Sequence, residues 1–513
     1  MTQGTLFPTS RKGGHCTMVN SNDADARKLA ELGYKQEFDR KWSGFHNFAI
    51  SFSIICILSG CFTTFAQAWN NGGPVAISVG WPIIASLIMI IGLVMAELVS
   101  AMPTAGGIYY WALNLGKPIH GWVTGWLNLL GLITVTAGVD YGFASFFTYA
   151  ANLYSKSFDP GNLKTVFLVF LVTIFLHIAM NIYGANLIHK LQGINVWVHI
   201  FGVTAIILIL VFIPSHHQTT SWVFTHQINN SGFSHRAFWI YVLPLGFLLT
   251  QYTITGFDAS AHVSEETGQA GKAAAQGLWK SIAYSAVVGW ILLLSFLYAA
   301  TDEAGISKAG GAVQAIFVSS VSLGWAKLIL VITCLGQFFC GMSCVTAGSR
   351  MLFAFSRDKA VPGHKNWTKL DKNKNPSRAA FGLGIAAVVV TLPALSSAVA
   401  FFAVTSMAVI GLFGSFAIPI WLRWRKGDAF KQGEWNLGKK WKWMAPVAVL
   451  EIVIVSIYFI MPTTPAGVWW SSKFDIHAAN YTPITFLVVI GGALLWWVLG
   501  AKKSFKGAVR TLD

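Results

Sequence analysis

A chain of 513 residues that is 54% hydrophobic and only 11% charged, with a mean hydropathy of +0.57, lies far outside soluble composition, where about 25% of residues are charged. The formal net charge of +16 raises nucleic acid as a partner, but the placement of the basic residues removes that need. No GxSxG elbow, Walker A loop or His-rich cluster occurs, which sets aside a membrane-embedded enzyme and an ATP-driven pump. The six cysteines include no CxxC pair, so neither a disulfide nor a zinc site is expected, and no cofactor is implied.

Residues 1–43 are polar, lack the apolar core of a signal peptide, and read as a cytosolic tail whose end lies along the membrane surface. Twelve apolar segments then follow, at about 44–70, 75–99, 120–152, 163–183, 192–214, 238–264, 279–301, 325–357, 379–397, 399–422, 444–462 and 482–500. Each reaches the roughly 20 residues that a spanning helix needs, and tilting accommodates the longer ones. The expected fold class is an all-α integral membrane protein of twelve transmembrane helices. A transporter domain covers 44–500, flanked by the tails 1–43 and 501–513.

The basic residues orient the chain. With the N-terminus inside, the loop at 357–378 carries Arg357, Lys359, Lys365, Lys369, Lys372, Lys374 and Arg378, and the loop at 423–442 is equally basic. The opposite side holds only Lys156, Lys164, Arg236, Lys308, Lys327 and Lys473. Both termini are therefore expected in the cytosol of a multi-pass cell-membrane protein. The positive excess faces the anionic inner leaflet, with no nucleic-acid partner and no obligate protein partner.

Two of the twelve segments carry small and polar residues at mid-span. The first reads "FAISFSIICILSGCFTTFAQAW" (48–69), with Ser59, Gly60 and Cys61 near its centre. The sixth reads "FLLTQYTITGFDASAH" (247–262), with Thr253, Thr255 and Gly256 near its centre. Glycines are common at contacts between membrane helices. A matched pair five helices apart, on helices running in opposite directions, instead predicts two broken helices in a five-plus-five inverted repeat. Repeat one would cover about 44–214, repeat two about 238–422, with helices eleven and twelve added at 444–500.

The stretch "GFDASAHVSEET" (256–267) resembles the signature of the amino acid/choline transporter family, within the amino acid–polyamine–organocation superfamily. Four further stretches are similar to that family: "LGYKQEFDRKWSGFHNFAISFS" (32–53), "GGPVAISVGWPI" (72–83), "AELVSAMPTAGGIYYWA" (96–112) and "AGSRMLFAFSRDKAVP" (347–362). The resemblance implies a carrier of amino acids, γ-aminobutyrate or choline, with substrate held between the two broken helices. A carboxylate would meet free N–H groups around Ser59, Gly60 and Cys61, at the positive end of a half-helix. An ammonium would meet carbonyls around Thr253, Ile254 and Thr255. Gly256, like Gly60, would let the backbone come close, and Tyr252 and Phe257 would shape the pocket.

Ionisable residues within spans are functional candidates by default. Asp140 in the third helix reads either as a cation or proton site or as a hydrogen-bonded structural group. His199 in the fifth reads either as a core histidine or, by the resemblance, as a stand-in for sodium between helices one, five and eight. His177 in the fourth looks peripheral and structural. Glu97 looks like a contact at the cytosolic end of helix two. Glu451 lies deep in helix eleven without an identifiable partner. Asp258 and His262 lie four apart on one helix face, on the inner pathway. Glu265 and Glu266 are natural partners for Arg350 and Arg357 in an inner gate, although Ser264 and the acids could also be ordinary cap chemistry. The leading function is a secondary transporter of amino acids or γ-aminobutyrate, with a proton favoured over sodium. Choline or a polyamine as cargo is the alternative, and no metal is expected.

Overall fold

The computed structural model describes residues 21–507 apart from 184, 310 and 396–397. The outer parts of both tails, 1–20 and 508–513, lie outside the described residues, and Cys16 with them. Among the described residues, eleven helices are long and apolar enough to cross a membrane. In chain order they begin with Gly44–Thr63, Pro74–Ala101, Pro118–Asn152, Leu163–Tyr183 and Lys190–Phe212. They continue with Ala270–Ala299, Leu323–Arg357, Ser377–Leu395, Ala400–Ala429, Trp441–Ile460 and Thr482–Ser504. The sixth expected helix is missing from this set because it is built of short pieces, Phe238–Val242, Leu243–Gly246, Leu248–Thr253 and Ala259–His262. Counting it, the twelve expected spans are present in order, and the protein is an all-α, multi-pass membrane protein.

Burial shows how the spans are layered. The third span packs on the eighth and tenth, and the seventh packs on the second and on the first half of the first. Large apolar side chains stay exposed along the fourth, fifth and twelfth spans, including Leu168, Phe175, Phe201, Leu487 and Leu499. Apolar faces of this extent suit contact with lipid. The third and eighth spans have 35 residues each, roughly 50 Å at 1.5 Å per residue, so both tilt or project beyond the roughly 30 Å hydrocarbon core.

The loops at 357–378 and 423–442 lie at one end of the bundle, called here the basic face. The end of the N-terminal segment turns into the basic face, where Leu29, Tyr34, Phe38 and Trp42 join the main hydrophobic core. The driving force is apolar burial by these four side chains. It is locked by polar contacts: Tyr34 OH donates to Asp358 at 2.9 Å, Arg40 donates to the Thr267 carbonyl at 2.7 Å, and the Trp42 N–H donates to the Glu266 carbonyl at 2.9 Å. Asp25 accepts from the backbone N–H groups of Gln269 and Ala270 at 2.7 and 3.2 Å, and so caps the seventh span from more than 240 residues away. Ser264, for which capping is one of two readings, makes no side-chain cap, and its Oγ is buried without a partner. At the opposite face, two-residue strands Asn71–Gly72 and Ile228–Asn229 pair antiparallel and tie the first span's end to the loop before the sixth.

Candidate functional site

The first span breaks at Ile55–Cys56, between helices Gly44–Ile54 and Ile57–Thr63. This is about one turn before the expected place. The N–H groups of Ser59 and Gly60, expected to be free, turn back to the Cys56 carbonyl at 2.8 Å each. The open amides of the second half-helix are therefore those of Ile57 and Leu58, its first two positions, which intrahelical bonding does not use. The sixth span unwinds over Ile254–Asp258, between helices Leu248–Thr253 and Ala259–His262, with Gly256 at φ +80°. That is left-handed backbone which glycine adopts without strain.

The two breaks face each other, and the two glycines make this possible. A Cβ on Gly60 would stand 2.5 Å from Thr253 Cα, and one on Gly256 would stand 2.1 Å from Ile54 Cγ2. Each broken helix thus sends a glycine against the other's backbone or side chain. Ser51, four residues before the first break, donates to the Phe257 carbonyl at 2.8 Å and joins the halves below it. Around the crossing, buried polar atoms lack partners: Ser59 Oγ, Thr63 Oγ1, Tyr252 OH, Thr255 Oγ1 and Gln337 Oε1. Hydroxyl and amide oxygens of this kind can accept from, and the hydroxyls can donate to, a polar ligand. Cys61 and Phe257 are buried beside it; Phe257 packs on Phe416 at 5.3 Å between ring centroids. From the opposite face a cavity of about 410 Å³ reaches down to Phe62, Thr63 and Gly142, lined higher up by Tyr149, Gln314 and Phe402.

At the basic face, buried ion pairs tie the loop after the sixth span to the eighth. Arg350 donates to both Glu266 oxygens at 2.7 and 3.2 Å. Arg357 reaches Glu265 at 3.3 Å and Glu37 of the N-terminal segment at 3.6 Å, with its guanidinium 4.0 Å from the Tyr34 ring centroid. Glu265 also accepts from the Ala105 N–H at 2.9 Å. Tyr109 shares Asp358 with Tyr34, donating at 2.9 Å. Burial, reinforced by Asp358, holds both phenols well above the usual tyrosine range. Glu97 sits near this face too, paired with Arg423 at 2.8 Å.

The remaining ionisable groups are buried in pairs. Asp258 lies 3.3 Å from His262 and accepts from Asn128 Nδ2 at 3.1 Å. His199 lies 3.0 Å from Cys56 Sγ, with its other nitrogen 3.0 Å from the Asn195 carbonyl. The imidazole therefore touches the break of the first span. Asp140 meets His177 at 3.1 Å, both fully buried. His177 is thus not peripheral: the absence of a side chain at Gly341 leaves room for this pair, since a Cβ there would fall 1.8 Å from Asp140 Oδ1. Two contacts have no local signal in the sequence: Cys56, an apolar-helix cysteine that the fold sets against His199, and the partner of Glu451, which is Gln251 of the sixth span.

Among known proteins, the family described as "Amino acid permease" matches residues 43–493. The amino-acid permease BAT1 of Arabidopsis thaliana is 34% identical over 98% of this chain and 99% of its own length. Its homolog in Oryza sativa subsp. japonica is 35% identical over 96% of each chain. A GABA-specific permease of Saccharomyces cerevisiae is 29% identical over 95% of this chain and 86% of its own.

Proposed function

The chain belongs to the amino acid permease family, and on that premise we propose that it is a secondary carrier of amino acids or γ-aminobutyrate, working by alternating access and driven by a proton gradient. The observation that carries this reading is the crossing of the two broken helices at Gly60 and Thr253, ringed by buried polar atoms without partners. A substrate carboxylate sits at the N–H groups of Ile57 and Leu58, with the Ser59 hydroxyl beside them, at the positive end of a half-helix. The ammonium sits at the carbonyls of Thr253, Ile254 and Thr255, with Tyr252 closing the pocket over Gly138.

The printed names of the plant and yeast relatives support amino acids and γ-aminobutyrate as the substrate class. The cavity at one face and the closed salt bridges at the other correspond to the outward-facing side of the cycle, with Glu265, Glu266, Arg350 and Arg357 as the inner gate. His199, Asp140 and Asp258, each beside a second polar group, are the coupling candidates. In this reading the basic face is cytosolic, both termini lie there, and the protein resides in a cell membrane.

Uptake of labelled amino acids, γ-aminobutyrate and choline into liposomes, under imposed proton or sodium gradients, tests the proposal. Accumulation of a zwitterion driven by an inward proton gradient is expected. Accumulation of choline with no zwitterion transported overturns the substrate, and a strict sodium requirement overturns the driving ion.

A further inference from the structure

Glu451 is an acid in the middle of the eleventh span, Trp441–Ile460. It is buried, and its Oε1 accepts from Gln251 Nε2 of the sixth span. Two atoms of this pair have no partner: Glu451 Oε2 and Gln251 Oε1. The charged and titratable groups on the elements packed around it lie elsewhere. Glu97 of the second span and Arg423 of the tenth pair with each other, and Arg423 stacks 4.4 Å from the Trp441 ring centroid. Trp441 is ten residues before Glu451, about 15 Å along the helix. Arg425, Lys426 and, on Glu451's own helix, Lys442 are at that same basic end. Tyr458 and Tyr241 are at the opposite end, donating to the Ile240 and Pro462 carbonyls. Tyr252, next to Gln251, faces Gly138.

We propose that Glu451 binds and releases the proton that sets the conformation of the sixth-span break, acting on the substrate site through Gln251. The inference rests on the reading of this chain as a proton-driven carrier. In the ionised state the carboxylate accepts one bond from the Gln251 amide, and Gln251 Oε1 stays unsatisfied. Adding one proton to Glu451 Oε2 gives an acid that donates to Gln251 Oε1 while its other oxygen still accepts from Nε2. One proton thus satisfies both orphaned atoms and turns a single contact into a two-bond pair. Gln251 directly precedes Tyr252 and Thr253, the last residues before the chain unwinds, so fixing the amide fixes the carbonyl end of the site. Protonation from one side and release to the other would couple an eleventh helix, outside the ten-helix repeat, to the substrate. Glu451 is a positioning residue here: it touches Gln251, not the substrate.

The test is the pH profile of amino acid or γ-aminobutyrate binding to purified full-length protein, between pH 5 and 8, alongside proton-driven uptake in liposomes. One linked proton makes the wild-type affinity change by up to about tenfold per pH unit. Glu451→Gln keeps a hydrogen-bonding side chain but cannot titrate; it is expected to flatten the profile and abolish proton-driven accumulation. Glu451→Asp restores a slope, and so does the swap Gln251→Glu with Glu451→Gln, which also controls for a fold lost in the single variant. A wild-type slope in Glu451→Gln overturns the inference, as does a profile flattened only by Asp140→Asn or His199→Gln. A wild-type protein with neither slope nor proton-driven uptake overturns instead the coupling reading beneath it, before any variant is made.

Discussion

Gly256→Ala is the sharpest perturbation of the crossing between the broken helices. Two costs arise. The residue sits at φ +80°, where an L side chain costs about 1–2 kcal/mol. Its new methyl would also stand 2.1 Å from Ile54 Cγ2, and overpacking of this kind costs about 1–3 kcal/mol. Their sum, about 2–5 kcal/mol, depopulates conformations in which the helices touch by about 30-fold to a few thousand-fold. Initial uptake rates in liposomes should fall accordingly. Trimming Ile54 to Ala in the same protein removes the 2.1 Å contact and leaves Ile54 Cβ at 3.2 Å; the backbone strain stays, and part of the rate should be recovered. Gly60→Ala differs: its obstacle is Thr253 Cα at 2.5 Å, so no trimming of side chains relieves it. Gly492→Ala in the twelfth span, where nothing lies within 4 Å of the new methyl, serves as the control and should transport normally. Wild-type rates in Gly256→Ala would show that the crossing tolerates a side chain at this position, against the expectation, and a double variant no better than the single would rule out the clash with Ile54 as a cause.

Other outcomes follow from the basic face. Glu266→Gln leaves Arg350 buried without a charged partner, a loss of about 3–5 kcal/mol for the closed gate, and should raise labelling of cysteines introduced on the inner pathway. Asp25→Ala removes the cap on the seventh span and should cost about 0.5–2 kcal/mol of stability, read as a lower thermal midpoint. Because burial raises the Tyr34 and Tyr109 phenols in the folded state, their contribution is intact below the unfolded tyrosine value of about 10. It is lost as the pH rises beyond that value. The thermal midpoint should therefore fall at strongly alkaline pH, and fall less steeply in the Tyr34→Phe, Tyr109→Phe double variant.

The spans were legible because membrane burial writes itself as long apolar runs, and the sixth break because Thr253, Thr255 and Gly256 put small and polar residues at the middle of such a run. The first break was misplaced by one turn. Gly60 is there for close approach to Thr253 and not for unwinding, while the true break at Ile55–Cys56 has no glycine or proline to mark it. Its surroundings are tertiary: Cys56 against His199, and Asn195 donating to Ser53 at 2.7 Å. Partners distant in sequence were the main omissions. Glu451 and Gln251 are 200 positions apart, and Asp25 and Gln269 are 244; no local pattern relates them. Nor does polarity alone show that the N-terminal segment docks, since four apolar side chains among charged ones suffice to seat it.

The most direct measurement is an experimental structure of the protein with a transported amino acid or γ-aminobutyrate bound. The ligand is expected at the crossing, its carboxylate at the N–H groups of Ile57 and Leu58 and its ammonium at the carbonyls of Thr253–Thr255. A ligand held only in the cavity beside Tyr149 and Phe402, with the crossing of Gly60 and Thr253 empty, would contradict this expectation.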